Sequence, residues 1–199
     1  MSNKKLNKMK DQKKYSHTTS YILLATLFLA AFLERAVWDL GPNVELITTA
    51  MILASIYVGR KEAFWLTLAI MTTTDALLGN TNIFIFTWSG FLIPAIFAGK
   101  IFADKKFGQF KKIVLGTSAG IGSNLFFFLW TNFGVWLIGN MYTKNLTGLL
   151  MSYFYGLPFV KPQIISSLIF IPLGMAGIQA SLKLYRKWRI HNFESPAIS

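Results

Sequence analysis

The stretch Asn124–Phe159 reads NLFFFLWTNFGVWLIGNMYTKNLTGLLMSYFYGLPF. It is apolar and aromatic, yet Gly, Asn, Lys144 and Pro158 interrupt it. A spanning helix takes about 20 mostly apolar residues in one run. The part up to Trp130 completes such a run, and the part after it does not. The stretch therefore predicts the end of one membrane span followed by a structured cap at the outer surface, about residues 131–162. Leu146–Phe159 is too short to cross by itself, so an interfacial helix or re-entrant segment is expected there.

Outward from this region the chain reads as a series of apolar helices. Before it come spans at about Ser20–Trp38, Val44–Val58, Ala63–Leu78, Ile83–Phe102 and Ile113–Trp130. After it comes a sixth at about Gln163–Leu184. Gly41-Pro42-Asn43 marks a turn ahead of the second span, and Gly79-Asn80-Thr81-Asn82 another ahead of the fourth. The fold class is an all-α polytopic membrane protein of six transmembrane helices. Residues 1–19 form a basic arm, 20–189 the membrane domain and 190–199 a C-terminal tail.

Charge sets the orientation. Seventeen of the 20 Lys and Arg fall in the N-terminal arm, at Arg60-Lys61, at Lys100–Lys112 or from Lys183 onward. These places share one side of a six-span layout, and the positive-inside bias makes that side cytoplasmic, both termini included. The net charge of +12 reads as topology and headgroup contact rather than nucleic-acid binding. Localisation is the plasma membrane of a prokaryote, multi-pass.

Composition also limits the chemistry. There is no Cys, and His17 and His191 both lie in the polar tails. Thiolate chemistry, disulfides and the usual metal ligands have no residues to use. No P-loop is present. Gly116-Thr-Ser118-Ala-Gly120 matches G-x-S-x-G, but no His lies in any span to act as base. The two glycines are expected to serve helix packing, as are Ala50 with Ala54 and Thr26 with Ala30. The expectation is a protein that is not an enzyme and carries no cofactor.

Charged groups inside a span cost several kcal/mol unless paired or wetted, so they mark function. Glu34, Arg35, Glu45 and Asp75 all fall in the outer third of their spans, with Asp39 and the amides of Asn43, Asn80 and Asn82 near them. Asp39 and Glu45 read equally well as interfacial carboxylates. Four tryptophans, Trp38, Trp88, Trp130 and Trp136, gather at the same end, where they serve an aromatic belt or a pocket wall. Asn124 and Asn132 flank the last two and need partners inside a span. The expected substrate site is Glu34, Arg35, Asp75, Trp88, Asn124, Trp130, Asn132 and Trp136, with the indoles as walls and the polar groups orienting the ligand.

Pro42-Asn43 before an apolar span, Tyr57-Val-Gly-Arg60-Lys-Glu-Ala63-Phe, Asp75-Ala-Leu-Leu-Gly79 and Phe127-Phe-Leu-Trp-Thr-Asn132-Phe-Gly-Val-Trp136 carry a resemblance. Tyr142-Thr-Lys144, Gly148-Leu and Leu157-Pro158-Phe159 extend it. Together these strings resemble an uncharacterised family of prokaryotic transport proteins, which looks like the substrate-binding S components of energy-coupling factor (ECF) vitamin transporters. The resemblance implies a six-helix bundle with an outward-facing site closed by loops. It implies a transmembrane coupling protein and two cytoplasmic ATPases as partners, docking on small-residue faces such as that of Thr26 and Ala30. The expected function is capture of a small polar, vitamin-like compound for uptake. A membrane scaffold or assembly subunit and a solitary facilitator are the alternatives.

Overall fold

The computed structural model describes residues 17–38, 40–41, 43–79, 82–102 and 107–193. Most of the basic arm, Asp39, Pro42, Asn80, Lys105, Lys106 and the last six residues lie outside the described residues. Six helices form the described fold: α1 (His17–Leu33), α2 (Ile47–Tyr57), α3 (Arg60–Leu78), α4 (Phe84–Phe102), α5 (Gln109–Ile138) and α6 (Leu146–Phe193). A π-helical turn, Glu34–Trp38, continues α1. No strand occurs among the described residues.

Four of these helices are long and apolar enough to cross a membrane: α1 with its π-helical turn, α4, α5 and Leu146–Tyr185 of α6. The chain is a helical membrane protein by that measure. At 11 residues, α2 rises only about 16 Å, roughly half a bilayer core.

This short α2 is the centre of the bundle. Its sequence, ITTAMILASIY, holds no charge and has no distinct polar face. A helix of that kind has no face to offer water and is enclosed. All its residues except Ile56 are buried, and it touches each of the five other helices. The core continues from Met51, Ile52 and Leu53 to Ile70 and Met71 of α3, Phe91 and Ala95 of α4, and Ile171 and Met175 of α6.

The α5–α6 hairpin is the largest helix pair and departs from expectation. The cap expected over 131–162 is not a separate element. Helix α5 runs on to Ile138, a short turn follows, and α6 continues without a break from Leu146 through Gln163 to Phe193. Pro158, Pro162 and Pro172 all lie inside α6. Proline is tolerated in such helices where neighbouring groups take up the freed carbonyls. The turn is tied at both ends. Lys144 donates to the carbonyls of Trp136, Leu137 and Gly139, the unpaired acceptors at the C-terminus of α5. Asn145 Oδ1 accepts the Gly148 N–H at 2.9 Å and caps α6.

Close packing along this hairpin depends on Gly116 and Gly120. A Cβ on Gly116 would sit 3.1 Å from Ile56, and one on Gly120 would collide with Ile171 of α6. Ser118, between them, is exposed on the far side. The G-x-S-x-G string is a packing seam.

Candidate functional site

The carboxylates gather at the end of the bundle where α1 and α3 finish and α2 begins. In the π-helical turn the bonding widens to i→i+5 and shifts the side-chain register, a feature common at functional sites. Glu34 is buried there at 3% exposure. Its neighbour Arg35 reaches α3, where Nη2 donates to Asp75 Oδ1 at 2.8 Å. The second Asp75 oxygen accepts the Trp88 indole N–H of α4 at 2.6 Å. One carboxylate thus holds α1, α3 and α4 together.

The segment entering α2 completes the site. Gly41 at φ 128° and Asn43 at φ 58° make a turn in the left-handed region, where Gly and Asn are the residues that fit. The Leu46 N–H donates to Glu34 Oε2 at 3.2 Å, and the Thr48 N–H donates to Glu45 Oε2 at 2.8 Å. Glu45 thereby satisfies an open donor in the first turn of α2.

Between these elements lies a cavity of about 230 Å³. Glu34, Arg35, Asn43 and Glu45 supply its polar wall, Gln163 of α6 its far side, and Phe91 and Phe127 its apolar wall, with Gly41 and Val44 completing the lining. The two phenyl rings lie 4.4 Å apart at 36°. Three buried atoms on these lining residues have no hydrogen-bond partner within the protein: Arg35 Nε, Glu45 Oε1 and Gln163 Oε1. Such groups are uncommon in a folded protein and each costs about 1–3 kcal/mol if left unmade.

Behind the cavity runs a fully paired network. Thr48 Oγ1 donates to Asn124 Oδ1 at 3.0 Å, and Asn124 Nδ2 donates to the Gln163 carbonyl at 2.6 Å and to Ser167 Oγ at 2.9 Å. This joins α2, α5 and α6 at the level of the cavity floor. Among the described residues no group of three or more His, Cys, Asp or Glu could hold a metal ion.

Of the residues expected to form the site, Glu34 and Arg35 line the cavity, and Asp75 and Trp88 brace Arg35 from behind. Asn124 is buried at 1% exposure and acts through the Gln163 backbone, not on the cavity itself. The other three lie elsewhere. Trp130 packs among Phe86, Phe126 and Phe133 and donates to Ser89 Oγ at 2.8 Å. Asn132 donates to the Phe128 carbonyl of its own helix at 2.8 Å and packs against Gly156. Trp136 donates to the Thr143 carbonyl at 3.0 Å and belongs to the hairpin turn. Each of these polar groups finds its partner in the α4–α5–α6 packing.

Sequence reasoning set Glu45 beside interfacial carboxylates and passed over Gln163, Phe91 and Phe127. For Glu45 the signal was its place three residues before Thr48, just ahead of an apolar run, where a carboxylate caps a helix. Gln163 follows Pro162 in a sequence that reads as a break, and two phenylalanines among 18 carry no signal.

No curated protein and no solved structure matches the chain. One family model, described as a family of unknown function (DUF6580), matches residues 15–189, and it is to this family that the chain belongs.

Proposed function

We propose that the chain is a substrate-binding membrane subunit for uptake of a small polar, vitamin-like compound, an ECF S-component-like protein of a prokaryotic plasma membrane. In this reading the chain crosses six times, both termini are cytoplasmic and the cavity end faces outside. Arg60, Lys61, Lys100, Lys111 and Lys112 cluster at the opposite end of the helices, which favours that orientation. The protein binds and releases its ligand without changing it.

The observation that carries the reading is the cavity with its unpartnered Arg35, Glu45 and Gln163 atoms. A pocket with apolar walls and a few convergent polar groups is the usual form of a small-molecule site. Energy comes from a partner: a transmembrane coupling protein with cytoplasmic ATPases. A groove of about 300 Å³ between α1 and α6, lined by Thr26, Tyr57 and Ile178, lies toward the basic end and supports a docking face there.

Native mass spectrometry of protein extracted in a mild detergent tests the proposal. A small molecule is expected to leave with the wild-type protein and with Trp136→Phe, and to be lost from Gln163→Leu. A wild-type protein without a bound molecule that copurifies with a fixed membrane partner would favour the assembly-subunit reading instead.

A further inference from the structure

We infer that the cavity selects a small nitrogen base: an amine, amidine or similar N–H-rich cation, and not an anion. The inference rests on the cavity being the ligand site. Its basis is the pattern of groups that the fold leaves open.

Gln163 is buried at 6% exposure, and its Oε1 accepts nothing from the protein. Across the cavity Glu45 uses Oε2 on the α2 backbone and leaves Oε1 open. Both are acceptors, so a fitting ligand brings at least two N–H or O–H donors. Of the three buried open atoms Arg35 Nε is the one donor, and it asks for one acceptor. An amidine or an amino-substituted nitrogen heterocycle carries that combination in one plane.

Charge points the same way. Glu34, Glu45 and Asp75 stand around a single guanidinium, Arg35. Asp75 already engages that guanidinium at 2.8 Å, which removes most of its pull on an anion. An anion would enter beside two further carboxylates, whereas a cation would be drawn to them. Phe91 and Phe127 line the same space, and a cation near an aromatic face is favourable. At about 230 Å³ the cavity lies below the range of roughly 300–1,000 Å³ of drug-sized sites, so the ligand is a single small ring or chain.

Benzamidine, benzamide and benzoate share one ring and nearly one shape, with charges of opposite sign at the extremes. The test is thermal unfolding of the detergent-solubilised protein, washed free of any bound molecule, against each of the three. Benzamidine is expected to raise the melting temperature with concentration, benzamide to do so weakly and benzoate not at all. Glu45→Gln and Gln163→Leu should each weaken benzamidine by about tenfold or more. Gln163→Glu should tighten it, so the inference does not depend on a loss alone. Trp136→Phe should bind as the wild type. A benzoate shift equal to that of benzamidine, no shift with any probe, or a benzamidine shift indifferent to residues 45 and 163 would each overturn it. An anionic molecule found in the native mass spectrum would sink this inference and leave the uptake reading standing.

Discussion

Arg35 Nη2 lies 2.8 Å from Asp75 Oδ1, a pair that fastens the π-helical end of α1 to the last turn of α3. Asp75 is 6% exposed as a side chain and Arg35 28%. Removing one partner of a buried pair strands the other, at about 3–5 kcal/mol. The partial exposure of Arg35 lowers that figure. Asp75→Ala is expected to cost about 2–3 kcal/mol, and the R35A/D75A double variant less than the sum of the two singles. Thermal unfolding in detergent measures all three. Additive effects would mean that the contact contributes no coupling.

Asn124 is predicted to be structural. Its side chain bonds Thr48, the Gln163 carbonyl and Ser167 at once, with 1% exposure. Asn124→Ala leaves three groups short of a partner and opens a void, at about 2–4 kcal/mol. Ser167→Ala removes a single acceptor and should cost about 1 kcal/mol. Urea unfolding midpoints separate the two. Equal midpoints would mean that the network is not shared among α2, α5 and α6.

Much of the helical framework is legible in the sequence. The end of α3 at Leu78 coincides with the expected limit, because Gly79 stops an apolar pattern plainly. At Gly79 the chain takes φ 83°, and its N–H bonds the Asp75 carbonyl. The hairpin is not legible in the same way. Gly156, Pro158 and Pro162 read as breaks, yet Gly156 is the notch that receives Asn132, and the prolines sit within one helix. Local propensity gives way to tertiary packing. The same packing takes up the polar groups of Trp130, Asn132 and Trp136. A polar group inside a span announces that it needs a partner, but not whether that partner is a ligand, a neighbouring helix or its own backbone. Charge is the better guide: Glu34, Arg35 and Asp75 do converge, because an ion pair so placed has few ways to be satisfied.

The hairpin seam makes a sharp test of packing. A Cβ on Gly120 runs into Ile171 and comes within 3.0 Å of Ser167 Oγ, while one on Gly122 meets nothing within 4 Å. Gly120→Ala should destabilise by about 1–3 kcal/mol. Gly122→Ala should be neutral or slightly stabilising, since alanine costs less backbone entropy in a helix. The two sites are two residues apart on one helix, so effects on insertion or expression act on both alike. A loss at Gly122 as large as at Gly120 would mean that α5 and α6 do not meet on this face.

The proposed orientation can be read directly because the chain has no cysteine, so any single introduced thiol reports its own side. Asn140 lies in the hairpin turn and Lys187 near the far end of α6, and both are exposed. In intact expressing cells, Asn140→Cys is expected to react with a membrane-impermeant maleimide and Lys187→Cys only after the membrane is opened. The physical ground is the pull of the cytoplasmic leaflet on Arg60, Lys61, Lys100, Lys111 and Lys112, against which the other end offers Glu34, Glu45 and Asp75. The reverse pattern would turn the cavity inward and end the uptake reading, whatever the cavity binds. Labelling of both thiols in intact cells would place the two ends of α6 on one face. That would require a helix of 48 residues, about 72 Å long, to lie along the membrane instead of through it.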